Sequence, residues 1–159
     1  MAGKTAIMGF GNPVRSDDGV GCYVIDQLKL RLASVPSISL FDMGTSAFEV
    51  LFQLKGHQRI IVVDAVVNSD EPVGTLFRLP AAKVEASIMD DPMVFLHALK
   101  WDQALSYAKK ILQEEYPDDI QVYLIAVDNT RLEIGLSDPV QAAADRLLDI
   151  IEEDLSVAT

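Results

Sequence analysis

The chain has 159 residues, half of them apolar and 23% charged, a globular composition that excludes an intrinsically disordered protein and suits one domain over residues 1–159. The 13 Lys and Arg against 24 Asp and Glu leave a formal charge of −11, which repels phosphate backbones and anionic lipids and so argues against nucleic-acid and membrane partners. Cysteine occurs once, at Cys22, which excludes an intrachain disulfide and a Cys-based zinc cluster. With no signal peptide at the start and no apolar run near the ~20 residues of a spanning helix, the expectation is a cytoplasmic protein.

Thr5–Gly9 reads as a short buried strand, and Gly9-Phe10-Gly11-Asn12-Pro13 as the loop that ends it. Asp17-Asp18 then opens a helix with apolar residues at Val20, Tyr23, Val24, Leu28 and Leu32. Ile38–Asp42 is a second strand, and Thr45 or Ser46 caps a helix through Leu54 that Gly56 stops. Arg59–Val67 carries the strongest strand signal, apolar without alternation, as expected of a strand buried on both faces. Gly74–Leu79 reads as another strand, and Asp90-Asp91-Pro92 places a loop within Met89–Trp101. Asp102–Glu115 reads as a helix and Gln121–Val127 as a strand. Ser137 as cap and Pro139 in the first turn then start a helix over Val140–Leu155. Strand and helix alternate, which predicts an α/β protein with a mainly parallel sheet between helical layers.

Ligands of such sheets collect beyond the C-terminal strand ends, which singles out the polar residues there. Asp64 interrupts the central apolar run, and a carboxylate at a doubly buried strand end needs a partner, a hydrogen bond or a metal. Capping the next turn is its bland alternative. Asp17 and Asp18 suit the N-terminus of the first helix, yet two adjacent acids exceed what capping requires. The glycine-rich opening lacks a third glycine and carries acids where a pyrophosphate would sit, so it favours a cation over a dinucleotide.

His57 reads as an exposed loop histidine, whereas His97 reads either as a packed histidine or as a ligand. If its segment crosses above the strand ends, Asp18, Asp64 and His97 form a carboxylate–imidazole site suited to nickel or zinc. No His-Glu-x-x-His or Gly-x-Ser-x-Gly motif supports a zinc peptidase or a serine hydrolase. Cys22 falls within the first helix, as a core residue.

The run Ile7-Met8-Gly9-Phe10-Gly11-Asn12-Pro13-Val14-Arg15-Ser16-Asp17-Asp18-Gly19-Val20-Gly21 resembles the signature of the [NiFe]-hydrogenase maturation endopeptidases. The resemblance continues through Asp42-Met43-Gly44-Thr45, Val62-Val63-Asp64-Ala65, His97 and Gly135-Leu136-Ser137. It implies a three-layer α/β/α sandwich with a twisted, mainly parallel central sheet, of phosphorylase/hydrolase-like type. It also implies one activity: removal of the C-terminal extension of a [NiFe]-hydrogenase large-subunit precursor after nickel insertion.

By the same resemblance Asp18, Asp64 and His97 are the catalytic and metal-contacting residues, Asp17 is scaffolding, and the nickel arrives with the precursor. The family's Asp-Gly-Gly-Thr-x-Gly loop is replaced here by Asp42-Met43-Gly44-Thr45-Ser46-Ala47, which alters a border of the expected cleft. Water could be activated by the metal or by a carboxylate acting as base, and the sequence leaves both open. Two rivals stand beside the endopeptidase: a non-enzymatic nickel- or precursor-binding chaperone on the same fold, and a small α/β domain whose acids only cap helices. Phe10 and Val14 are candidates to line the cleft, with core packing as the default for each.

Overall fold

The computed structural model describes residues 4–32, 35–45, 53–67, 69–80, 109–117 and 119–158. Within them, strands β1 (Thr5–Phe10), β2 (Ile38–Gly44), β3 (Arg59–Val66), β4 (Leu76–Pro80) and β5 (Asp119–Ala126) form one sheet in the order β2-β1-β3-β5-β4. The β1–β2, β1–β3 and β3–β5 pairs are parallel and β4 runs antiparallel along β5, so the sheet is mainly parallel with one reversed edge. Strand ends follow the ladder rather than apolarity. β1 and β2 extend to Phe10 and Gly44 because those two residues are partners, and β5 begins at Asp119 opposite Arg59. Gly74, at φ +92°, turns the chain ahead of β4, so that strand starts later than composition suggests.

Two helices pack on one face, α1 (Val20–Arg31) and α2 (Asp138–Ala158). Buried Val140, Ala143, Ala144, Leu147, Leu148, Ile151 and Leu155 recur along α2 at helical spacing and meet Ile7, Ile61, Val63, Tyr123 and Ile125 of the sheet. A second core lies on the opposite face, where Ala6, Met8, Phe10, Ile60, Val62, Val122 and Leu124 gather with Leu54, Leu112 and Tyr116 from outside the sheet. Burial on both faces explains why β3 reads as an unbroken apolar run.

The expected helix into Leu54 and that over Asp102–Glu115 fall largely outside the described residues, as does the loop expected within Met89–Trp101. What is described agrees. Gly56 turns at φ +89°, residues 109–112 are helical, and Gln113–Glu115 close that helix in a tighter turn.

Two glycines decide how closely α1 approaches the sheet. A Cβ on Gly21 would overlap the carbonyl oxygens of Phe10 and Val63, and one on Gly9 would overlap the carbonyl of Gly21. The first turn of α1 therefore rests backbone against backbone on the end of β1 and the interior of β3. We expect Gly21→Ala to lower stability by about 3 kcal/mol or more, because rigid main chain must move; chemical denaturation would read this as a lower midpoint.

Candidate functional site

Chain order fixes where a ligand crevice opens. The chain steps from β1 to β2 on one side and returns to β3 on the other, so the strand order reverses between β1 and β3. Open α/β sheets bind ligands beyond such a switch point, at the carboxyl ends of the strands. Asp18 follows β1 there and Asp64 belongs to β3. Asp18 sits in a tight helical turn, Ser16–Gly19, that precedes α1 and packs against β3; the acids therefore occupy that turn and do not open α1 itself.

Asp64 lies inside β3 rather than at its end. The strand continues to Val66 against β5, but its last pairing with β1 is Val63 opposite Gly9. From Asp64 onward the β1-side edge of β3 is beyond the end of the ladder with β1. Alternation puts Asp64 on the face of Val62 and Val66, opposite the α1 side. Its Oδ1 accepts the Ala65 N–H at 2.7 Å. Asp18 Oδ2 accepts the Asn12 N–H at 2.9 Å, which ties the carboxylate to the loop leaving β1. Both residues are buried, at 5% and 2% exposure for Asp18 and Asp64.

Asp17 is built differently. It is fully buried, and its two oxygens accept the Ser137 N–H at 2.7 Å and the Ser137 hydroxyl at 2.8 Å. Both oxygens are thus committed to the entrance of α2. Ser137 holds the cap position in the chain, since its carbonyl accepts the Gln141 N–H, but its side chain serves Asp17 rather than capping the helix. Around this pair the segment before α2 braces the turn. Asn129 O accepts the Asp17 N–H, Glu133 O accepts the Ser16 N–H, and the Ser16 hydroxyl donates to Arg131 O. Those contacts hold Ser16 at φ +52°, a strained value for a residue with a side chain.

Cys22 is buried, as expected, but it belongs to the site's border. Its thiol donates to Asp42 Oδ1 at 3.1 Å, and that oxygen also accepts the Gly44 N–H. Gly44 O in turn accepts the Gly11 N–H, so the ends of β1, β2 and α1 are linked in one chain of bonds. Burial pushes the Cys22 thiol up to about 12, helped by the Asp42 hydrogen bond and by the charges of Asp42, Asp26 and Asp64.

The two histidines separate. His57 is half-buried, not exposed: its Nδ1 pairs with Gln53 O at 2.8 Å and its ring stands edge-on to Phe41. It precedes β3, at the end of the sheet away from the acids. His97 lies outside the described residues, and among those described no three His, Cys, Asp or Glu side chains are grouped as a metal site. Phe10 is core and Val14 is exposed, so only Val14 is available to the cleft. Sequence reasoning missed the Cys22–Asp42 link and residues 128–133, whose backbone carbonyls brace the turn; carbonyls carry no residue-type signal.

This arrangement defines an α/β protein with a buried acidic pair at the switch point of its sheet. The chain belongs to the hydrogenase maturation protease family, whose HycI model matches residues 22–154. It is similar to the hydrogenase 2 maturation protease of Escherichia coli K12, 23% identical over 146 residues that span 92% of this chain and 87% of that one. Its fold is similar to the hydrogenase maturating endopeptidase HybD from E. coli, with TM-score 0.85, 22% identity, and 98% and 93% of the two chains covered. It is similar also to the [NiFe] hydrogenase maturation protease HybD from Thermococcus kodakarensis, with TM-score 0.76, 19% identity, and 94% and 97% covered. None of the described helices is long and apolar enough to cross a membrane.

Two outcomes follow from the hydrogen bonds. A thiol titrating near 12 is protonated throughout the neutral range, so Cys22 should resist alkylation by iodoacetamide at pH 8 in the folded protein and react on unfolding, read by mass spectrometry. Ser137→Ala leaves a buried Asp17 oxygen short of a donor and should cost about 1–3 kcal/mol, measured as a lower melting temperature.

Proposed function

We propose that the protein is an endopeptidase that removes the C-terminal extension from a [NiFe]-hydrogenase large-subunit precursor once nickel has been inserted. The observation that supports this reading is the pair of buried carboxylates at one switch point, Asp18 in the turn that follows β1 and Asp64 within β3, in a chain of this protease family. Nickel is part of the substrate here, held by the precursor and presented to the two acids and to His97. Carboxylates with an imidazole are a suitable donor set for such a borderline ion.

Recognition of the ion by the protein's own side chains would couple cleavage to correct loading. The carried ion would supply Lewis-acid polarisation for hydrolysis of the peptide bond, while Asp18 or Asp64 would accept the proton of the attacking water. An aspartic-type pair would instead share one proton at about 3 Å and would need no nickel. Nickel dependence therefore separates the two chemistries. A cytoplasmic location goes with this reading and with the lone thiol.

The test is incubation with nickel-loaded and nickel-free precursor, followed by gel electrophoresis. Loaded precursor should shorten and nickel-free precursor should stay full length; a chaperone would leave both intact. Asp64→Asn preserves an oxygen for the Ala65 N–H, so it should fold as the parent does while processing falls by at least ~100-fold. His97→Ala should do the same, with circular dichroism as the folding control. Normal processing by both variants would overturn the site assignment.

A further inference from the structure

A surface cleft of about 570 Å³ has Asp128, Asn129, Thr130 and Arg131 among its walls. That wall is continuous with the turn carrying Asp18. Asn129 O accepts the Asp17 N–H at 3.1 Å, Thr130 O accepts from Arg15 Nη1 at 3.4 Å, and Arg131 O accepts the Ser16 hydroxyl at 3.1 Å. Just beyond it, Glu133 pairs with Arg15 as an isolated parallel bridge, its N–H on Val14 O and its carbonyl on the Ser16 N–H.

Three of the exposed large apolar side chains of the described residues belong to positions adjoining this bridge: Val14 beside Arg15 at 48% exposure, and Leu132 and Ile134 on either side of Glu133 at 74% and 85%. Apolar residues scattered singly are ordinary, but three at positions adjoining one long-range bridge, next in sequence to a polar cleft wall, offer a contact surface to a partner. The core is already closed without them, and the segment's own backbone is spent on holding the acidic turn.

We infer that these three side chains and the cleft are the subsite that reads the polypeptide substrate. The precursor lays apolar side chains on Val14, Leu132 and Ile134 while its backbone enters the polar cleft at residues 128–131. The inference rests on the protease reading above. Its occupant follows from continuity: the cleft walls are hydrogen-bonded to Arg15, Ser16 and Asp17, so a peptide lying in the cleft lies beside the unit that carries Asp18. Size agrees, since the cleft falls in the range of about 300–1,000 Å³ typical of ligand sites. Chemistry agrees too, because exposed apolar side chains next to polar cleft residues offer a bound segment both contact area and orienting groups.

The experiment uses the double variant Leu132→Ser/Ile134→Ser and nickel-loaded precursor, with processing kinetics and calorimetric binding measured side by side. Both side chains are exposed, so the variant should melt as the parent does. We expect KM and Kd to rise about tenfold with kcat within twofold, a split that a structural defect at Asp18 would not produce. Unchanged KM and Kd, with the unmodified protein still shortening the precursor, would overturn the subsite and leave the protease reading standing. If the unmodified protein binds the precursor without shortening it, the protease reading fails instead. Kd alone then decides the subsite, with weakening by the double variant supporting it and no change overturning it.

Discussion

The structure depends on a main-chain contact. The first turn of α1 lies against the carbonyls of Phe10 and Val63, a separation that only a residue without Cβ permits, and Gly21 provides it. The constraint is steric and has no graded substitute, since backbone cannot rotate out of the way as a side chain can. Its consequences run directly to the chemistry. With the start of α1 fixed on β1 and β3, the loop between β1 and α1 must double back within residues 11–19. The tight turn that results is what sets Asp18 beside the end of the sheet.

Four aspartates near that turn divide into three duties, which their hydrogen bonds describe. Asp17 is fully buried and saturated by the Ser137 N–H and hydroxyl, which makes it a fastening between the first loop and α2. Asp42 is fastened at the border, sharing one oxygen between the Cys22 thiol and the Gly44 N–H. Asp18 and Asp64 accept backbone amides, those of Asn12 and Ala65, which orient the two carboxylates. An acid buried where neighbouring strands part is a costly placement, and the function proposed above gives it a use in meeting the ion the precursor carries.

Much of this was legible in the sequence, and the parts that were not share a cause. The unbroken apolar run at Ile60–Val63 and the helical spacing from Val140 to Leu155 carry their own burial signal, so β3 and α2 could be placed from pattern alone. Asp64 stood out because an acid is improbable in such a strand, although the strand continues past it to Val66, since its partner is β5 rather than β1. Ser137 stands at the expected cap position, but its side chain was not anticipated, for a different reason. Ser-Asp-Pro is a good helix start by local rules, and the carbonyl of Ser137 does begin α2, but its hydroxyl answers a residue 120 positions earlier. His57 was likewise read as loop surface, whereas Phe41 and the carbonyl of Gln53 enclose it. Local pattern reports which element a residue joins; which partner it finds across the fold depends on tertiary geometry that no short window contains.

The same tertiary geometry gives the segment before α2 its importance. Residues 128–137 form no strand or helix up to Asp138, yet their carbonyls and Ser137 supply partners to Arg15, Ser16 and Asp17 in succession. A loop so bonded is a rigid extension of the acidic turn, not an independent flap. The strained φ of Ser16 is the mark of that rigidity, because a backbone held at +52° persists only where surrounding bonds over-determine it. Anything gripped by the loop is therefore gripped at a fixed distance from Asp18. On the protease reading and subsite proposed above this matters more than affinity, since a displacement of about 1 Å at a reacting centre can cost on the order of a hundredfold in rate. Building the wall of the cleft and the seat of the carboxylate from one hydrogen-bonded unit removes that freedom before any substrate arrives.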